Sequence, residues 1–240
     1  MISILIPTYN EGEIIENTIN KIESFISKYN KSKINIVIVD GNSKDNTVKK
    51  SENLKRIYKN LKILKSKKHL GRGIDLTKAI KKIKSDILIY MDADLSTDLI
   101  FLTELIKWLE EDYDIAIGSR ILKDSKVKRP LIRKLLSHYY SLLIKLLFKV
   151  PIKDYQCGFK GFKRKKILKV LNKVKDKKWF WDTELLIRCY NEKIKIKEFP
   201  INWHHRKNSR VNIFKSIKEM SISILNFWWE LNKNKSKSFV

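Results

Sequence analysis

Ile87-Leu88-Ile89-Tyr90-Met91-Asp92-Ala93-Asp94 is an apolar run that closes on two carboxylates. In an extended chain, residues two apart face the same side, so Asp92 and Asp94 can converge on one hard cation. A divalent metal beside a strand end suggests phosphate chemistry. Working outward, further strand-like runs occur at Ile2–Ile6, Ile34–Val39, Leu61–Leu64 and Asp114–Gly118, with Asp86–Met91 as the run quoted above. Helical stretches at Glu11–Tyr29, Asp45–Asn60, Arg72–Lys84 and Asp98–Glu111 separate them. Near-continuous Ile/Val/Leu strands alternating with helices predict an α/β fold, a mainly parallel sheet flanked by helices on both faces. Such sheets bind ligands at the carboxyl ends of their strands. Polar clusters sit at three of those ends: Thr8-Tyr9-Asn10-Glu11, Asp40-Gly41-Asn42-Ser43 and Asp92-Ala93-Asp94-Leu95-Ser96.

Helix capping is the competing explanation, because Asn, Asp and Ser at loop-to-helix junctions satisfy free amides. It accounts for part of Asn42-Ser43-Lys44-Asp45 and of Ser96-Thr97-Asp98. Asp40 and Asp92 fit it poorly, since each ends an apolar strand before the next helix begins. A ligand role is the stronger reading for both.

With 240 residues, 43% of them hydrophobic, the chain can bury a full core. Lys and Arg number 52 against 26 Asp and Glu, a net charge of +26 that suits polyanionic partners or reflects a compositional bias toward lysine. The sequence shows no nucleic-acid-binding module and no aromatic stacking pattern, so nucleic acid is not expected as a partner. Cys157 and Cys189 make neither a metal spacing nor a disulfide framework, which fits a reducing interior. The N-terminus opens on a strand and lacks signal-peptide features, so a cytoplasmic protein is expected. No stretch approaches the roughly 18 uninterrupted apolar residues of a membrane span.

Five motifs carry a resemblance: Pro7-Thr8-Tyr9-Asn10-Glu11, Val39-Asp40-Gly41-Asn42-Ser43-Lys44-Asp45-Asn46-Thr47, Asp92-Ala93-Asp94-Leu95-Ser96, Gly118-Ser119-Arg120 and Asp154-Tyr155-Gln156-Cys157-Gly158-Phe159-Lys160. In order and spacing they resemble family 2 glycosyltransferases, in the branch of dolichyl- and polyprenyl-phosphate mannose and glucose synthases. The resemblance runs from Ile2 to about Val211. It implies a GT-A fold, a Rossmann-like sheet with amphipathic interface helices, and a nucleotide-sugar donor such as UDP-glucose or GDP-mannose. Pro7, Tyr9, Glu11 and Asp40 would then hold base and ribose, with Val39 and Ala93 also in the nucleotide site. Asp92 and Asp94 would lie at the diphosphate with Mg²⁺ or Mn²⁺, Asp94 as the more direct ligand and Ser96 as the third position. Arg120 is carried over as a catalytic residue. Arg72, where relatives more often have lysine, either adds charge near the nucleotide or is a surface residue starting a helix.

Between Pro130 and Val150, apolar residues at 131, 132, 135, 136, 139, 142, 143, 146 and 147 follow helical spacing. Arg133, Lys134, Ser137, His138, Ser141 and Lys145 fill the other face, with positive but no negative charge. A core-facing helix is one reading; an interfacial helix on an anionic membrane is the other, favoured by the charge and by where the resembled family places such helices. Arg133 and Ser137 share one face and match the pair this family aligns on the lipid phosphate. Arg206 and Arg210, in Trp203-His204-His205-Arg206-Lys207-Asn208-Ser209-Arg210-Val211, are further candidates for the diphosphate or acceptor phosphate, against the reading of a solvated loop.

A lipid monophosphate is already anionic near neutral pH, so this acceptor needs no general base. The family implication is inversion, giving a β-linked product. A saccharide hydroxyl acceptor would instead require a base such as Asp182; Asp182 and Glu184, in Trp179-Phe180-Trp181-Asp182-Thr183-Glu184, either face the sugar or serve the helix dipole. Gly41 and Ser96 depart from the family pattern, the first where many relatives have a second aspartate, the second where mannose synthases usually have glutamine. Residues 1–212 are expected to form the catalytic domain, including the helix at 129–150. Residues 213–240 are expected to form a C-terminal helix, packing or interfacial, with a basic tail. A peripheral enzyme on the cytoplasmic face of a membrane follows, with a separate membrane-protein partner as a further expectation.

Overall fold

The computed structural model describes residues 1–28, 34–204 and 213–237, with side chains from 218 to 233 in the last segment. The chain runs β1 (Ile2–Thr8), α1 (Ile15–Lys28), β2 (Ile34–Asp40), α2 (Thr47–Ile57), β3 (Leu61–Lys65), α3 (Arg72–Lys82), β4 (Ile87–Met91), α4 (Phe101–Glu110), β5 (Ile115–Ser119), β6 (Lys126–Lys128) and α5 (Leu131–Phe148). It continues through β7 (Phe159–Lys163), α6 (Arg164–Leu171), α7 (Trp181–Asn191), β8 (Ile196–Pro200), β9 (Asn202–His204) and α8 (Ile213–Lys237). Each predicted strand lies within two residues of an observed one.

Alternation along the strands divides the core in two. Ile4, Ile6, Ile36, Ile38, Ile89 and Met91 face α1, α2 and α4, where Ile15, Ile19 and Ile22 meet Leu102, Leu105 and Ile106. Leu5, Val37, Val39, Leu88 and Tyr90 face the other way, onto α3, α6 and α7 through Leu76, Ile80, Ile167 and Trp181. In α1 the buried positions Ile15, Ile19, Ile22 and Ile26 form one stripe at helical spacing.

The main sheet has strand order β3-β2-β1-β4-β7-β5-β8. Its neighbours pair in parallel except β7, which is antiparallel to both β4 and β5, with Met91 opposite Phe159 and Ile115 opposite Phe162. That reversal has a consequence for position. The residues just before β7, Asp154 to Gly158, arrive at the carboxyl ends of the parallel strands, where the polar clusters lie. A small second sheet pairs β6 with β9 and brings Trp203 over the same edge.

Helix α5 departs from a core-facing helix. Ile144 is its buried residue, while Leu131 (77%), Tyr139 (70%) and Leu146 (68%) stand exposed together with Ile132, Leu135 and Leu142. Helix α8 packs one side on the core and leaves apolar residues exposed on the other. Ile224 and Phe227 are buried, with Phe227 5.3 Å from Phe148 and 5.8 Å from Phe180 between ring centroids, yet Ile222, Leu225 and Trp229 are exposed. Among the described residues no helix is long and apolar enough to cross a membrane.

Candidate active site

Three strand-end loops each turn on one residue in the left-handed region: Asn10 (φ 58°) after β1, Asn42 (φ 68°) after β2 and Leu95 (φ 51°) after β4. Asparagine tolerates that conformation; leucine does so at a cost of about 1–2 kcal/mol. Strain of this kind persists where surroundings over-determine it, which is characteristic of ligand sites.

The first two loops are tied together. The Asn10 and Glu11 amides donate to Ser43 Oγ (2.9 Å) and Thr47 Oγ1 (2.8 Å), and the Lys44 amide donates to Asn10 Oδ1 (2.7 Å). Asp40 is 1% exposed. Its carboxylate accepts from the Asn42 and Ser43 amides (both 3.0 Å) and from Ser43 Oγ (2.5 Å). On the outer side of this junction Tyr9 stacks on His69, ring centroids 3.8 Å apart, and His69 Nδ1 lies 3.0 Å from the Gly41 carbonyl. A Cβ on Gly41 would stand 3.1 Å from Asp75 Oδ2 and 3.3 Å from His69 Nδ1. The carboxylate of Asp75 thus occupies the side on which a residue 41 side chain would project.

Beyond β4, a shallow pocket is lined by Asp92, Leu95, Ser96, Thr97, Gly158 and Trp203, with Met91 and Phe159 as its floor. Gly158 is required there, because a Cβ would fall 1.9 Å from Asp92 Oδ2. Asp94 accepts from the Ser96 amide (2.9 Å) and hydroxyl (2.5 Å). Asp92 accepts from Arg72 Nη1 at 3.2 Å. Burial raises the Asp92 pKa, Arg72 opposes the shift, and Asp94 and Asp182 add to it; 41% of the side chain is open to solvent, which limits the effect.

Behind Asp92 is a sealed charge cluster. Asp182, fully buried in the first turn of α7, receives Arg72, Tyr90 Oη and Lys160 Nζ, the last at 2.9 Å. Burial alone would raise the Asp182 pKa, but Lys160 and then Arg72 hold it below the ordinary range. Lys160 is itself 1% exposed. Arg72 lies over the Trp179 ring at 4.8 Å, which fixes its fork between Asp182 and Asp92. At the end of β5, Arg120 is held in the same manner. Its amide (2.9 Å), Nε (2.8 Å) and Nη2 (2.8 Å) all donate to Asp154, and its guanidinium lies 5.6 Å from the Trp203 ring centroid. Despite burial, the Arg120 charge depresses the Asp154 pKa to about 2. At the start of α5, Ser137 Oγ accepts from Arg129 Nη1 and donates to the Arg133 carbonyl, both at 2.9 Å.

The profile of glycosyl transferase family 2 matches residues 3–171. The chain belongs to this family. Glycosyltransferase AglD of Haloferax volcanii is 33% identical over 232 residues, 96% of this chain and 37% of AglD. The chain therefore spans little more than a third of that relative. Dolichyl-phosphate beta-glucosyltransferase of Saccharomyces cerevisiae is 31% identical over 229 residues, covering 88% of this chain and 69% of the yeast protein. Among solved structures, glucosyl-3-phosphoglycerate synthase from Mycobacterium tuberculosis, in complex with Mn²⁺, UDP and glucosyl-3-phosphoglycerate, superposes with a TM-score of 0.69. It is 15% identical and covers 95% of this chain and 78% of its own, a likeness of fold.

Within this glycosyltransferase several expectations change. The Ser96 hydroxyl donates to Asp94 and so orients that carboxylate, and it does not cap α4. Among the described residues no group of three or more His, Cys, Asp or Glu could hold a metal ion. Asp40 holds its own loop through the Asn42 and Ser43 amides and ties it to β1 through the Thr8 hydroxyl at 3.4 Å. Val39 (3% exposed) and Ala93 (5%) are buried in the core, and neither lines the Asp92 pocket. Arg72 is not a surface residue. Asp182 cannot act as a base toward a hydroxyl acceptor, since it is sealed and shared among three partners, and Glu184 is taken by the Lys175 and Asp176 amides and by Arg188. Arg206 and Arg210 lie outside the described residues. His69, Asp75, Arg129 and Lys160 were missed. Lys160 gave one signal, a lone charge inside Phe159–Phe162; the others gave none.

Proposed function

We propose that this chain is an inverting hexosyltransferase that moves one sugar from a nucleotide sugar to a dolichyl or polyprenyl phosphate at a membrane surface. The observation that carries it is the juxtaposition of the Asp92/Asp94 pocket with the exposed apolar and basic helix α5. A donor site is thereby set beside a surface suited to an amphiphilic acceptor. The names of the relatives fit, and the dolichyl-phosphate glucosyltransferase of yeast favours glucose over mannose.

In this reading Tyr9, with His69 stacked on it, and the crosslinked first two loops receive the nucleoside. Asp92 and Asp94 are the hard oxygen donors that Mg²⁺ or Mn²⁺ takes, and the missing Cβ at Gly158 leaves Asp92 room to turn toward one. A bound cation would offset the charge that builds on the leaving diphosphate. Arg72 and Arg120, both pinned by buried carboxylates, present fixed positive charge at the same edge without reorganising. Inversion follows if the acceptor phosphate attacks opposite the diphosphate, and its own charge supplies the nucleophile. Leu131, Leu135, Leu142 and Leu146 enter the interfacial layer of an anionic membrane on its cytoplasmic face, while Arg133, Lys134 and Lys145 meet its head groups.

The test is incubation with Mg²⁺ or Mn²⁺, labelled UDP-glucose or GDP-mannose, and dolichyl or undecaprenyl phosphate in detergent. Label should pass into the organic phase, and Asp94→Asn should abolish the transfer. No transfer from either donor would overturn the proposal.

A further inference from the structure

The Arg129 side chain leaves the end of β6 and turns inward to donate from Nη1 to Ser137 Oγ at 2.9 Å. Its Nε and Nη2 atoms are buried and have no acceptor among the described residues. A buried charged donor left unmade costs about 1–3 kcal/mol or more, so a folded chain that keeps one there holds a place for an acceptor. The neighbouring guanidinium, Arg120, does not share this condition, because Asp154 takes it in bidentate fashion. Two cations thus stand beside one carboxylate, and the surplus charge belongs to Arg129. Burial first, and Arg120 second, lower its pKa, as expected for a cation without its own anion.

What surrounds Arg129 indicates the ligand. Residues 131 and 132, which open α5, are Leu (77% exposed) and Ile (61% exposed). A cation with open donors followed at once by bare hydrocarbon suits an anion that carries a hydrocarbon chain. On the other side, β6 pairs with β9, whose Trp203 walls the Asp92 pocket. The seat therefore borders the donor pocket.

Resting on the transfer reaction proposed above, we propose that Arg129 binds the phosphate of the acceptor directly, through Nε and Nη2, and that Ser137 is the positioning residue that aims it. The Ser137 hydroxyl proton is committed to the Arg133 carbonyl at 2.9 Å, so Ser137 steers the arginine and does not itself donate to the phosphate. A guanidinium fork presents two parallel donors to a phosphate, which an ammonium cannot.

The experiment compares the full-length wild type with Arg129→Gln, Arg129→Lys, Ser137→Ala and the Arg129→Gln/Ser137→Ala double variant, each checked for an unchanged melting curve. Transfer is measured against lipid phosphate and against donor. Binding of geranyl monophosphate, inorganic phosphate and nucleoside diphosphate is measured by calorimetry. Arg129→Gln should raise KM for the lipid phosphate by about 10- to 100-fold, the range of a charge-assisted phosphate contact, and leave the donor KM within about twofold. Arg129→Lys should recover part of the loss. Ser137→Ala should raise the same KM in the wild-type background and add nothing in Arg129→Gln. An unchanged acceptor KM, or a rise confined to the donor KM, would overturn the assignment. If the wild type transfers to no lipid phosphate, the reaction proposed above falls, and loss of geranyl phosphate binding in Arg129→Gln would still support the seat. Equal binding of inorganic and geranyl phosphate would overturn the lipid ligand in favour of a free phosphate. A wild type that binds neither would sink the site itself.

Discussion

One added methyl group should separate the fold from the chemistry. In Gly158→Ala the new Cβ would sit 1.9 Å from Asp92 Oδ2 and 2.3 Å from its Cγ, where contacts under 3.0 Å are essentially never found. The carboxylate oxygen must retreat by about 1.1 Å, the shortfall between those two distances. The backbones cannot part to make room cheaply, because the Asp92 amide donates to the Gly158 carbonyl at 3.1 Å and β4 pairs with β7 one residue further on. The side chain must therefore swing, and its 3.2 Å contact with Arg72 goes with it. Overpacking of this kind costs about 1–3 kcal/mol of stability. A displacement of about 1 Å at a reacting centre costs about 100-fold in rate, or about 2.7 kcal/mol of barrier. The assay is kcat/KM for the nucleotide sugar in the lipid-phosphate reaction, with Mn²⁺ affinity by paramagnetic resonance and a circular-dichroism melt alongside. The expected variant is folded, loses a few degrees of melting temperature, and is about 100-fold slower with weakened metal affinity. A Gly158→Ala enzyme within about threefold of wild type in both rate and Mn²⁺ affinity would refute the argument that the Asp92 position matters.

Three further outcomes can be measured. Asp182→Asn removes the anion that Lys160 pairs with and one of the two that Arg72 pairs with, and breaking a buried pair costs about 3–5 kcal/mol; denaturant titration should show it, and an unchanged midpoint would contradict the cluster. The Asp154 carboxyl titrates near 2 in the folded chain against an ordinary 3.8. The unfolded chain thus binds the proton first on acidification, and about 2 kcal/mol of stability, complete above pH ~5, is lost as pH falls through 2. Asp154→Asn should flatten the difference in melting temperature between pH 5 and pH 2; an identical acid limb in both proteins would refute it. Replacing Leu135, Leu142 and Leu146 by Glu removes three exposed side chains, each contributing about 1.5–3 kcal/mol when buried in an apolar phase. Sedimentation with anionic vesicles should fall by at least about 100-fold at an unchanged melting temperature, and retained sedimentation would count against α5 as the docking face.

Much of this architecture was legible because it is periodic. The apolar runs that became β1 to β5, and the polar residues closing them, state a parallel sheet and its ligand edge in local terms. The reversal of β7 was not legible, since Phe159-Lys160-Gly161-Phe162-Lys163 reads no differently in either direction. The charge cluster was hidden for a related reason. Arg72 and Asp182 are 110 residues apart, and a carboxylate in the first turn of a helix looks the same whether it serves the helix dipole or a buried arginine. Lysine in a strand reads as solvent-facing, yet Lys160 is among the most buried side chains. Arg129 offered nothing either. Its two donors without an acceptor among the described residues emerge only from packing.

The stretch matched by the family profile stops at residue 171, but the packing and charge pairing of the fold continue past it. Trp181 presses so closely on α3 that a Cβ on Gly73 would meet its Cβ at 2.5 Å, and Asp182 supplies the anion on which Arg72 and Lys160 depend. A fragment cut at that boundary would also lose β8, baring the edge of β5 for association with other chains. Such a fragment should express as an aggregating chain even though it contains the whole stretch that the family profile matches. The end of the profile match and the physical boundary drawn from charge neutralisation fall in different places in this protein.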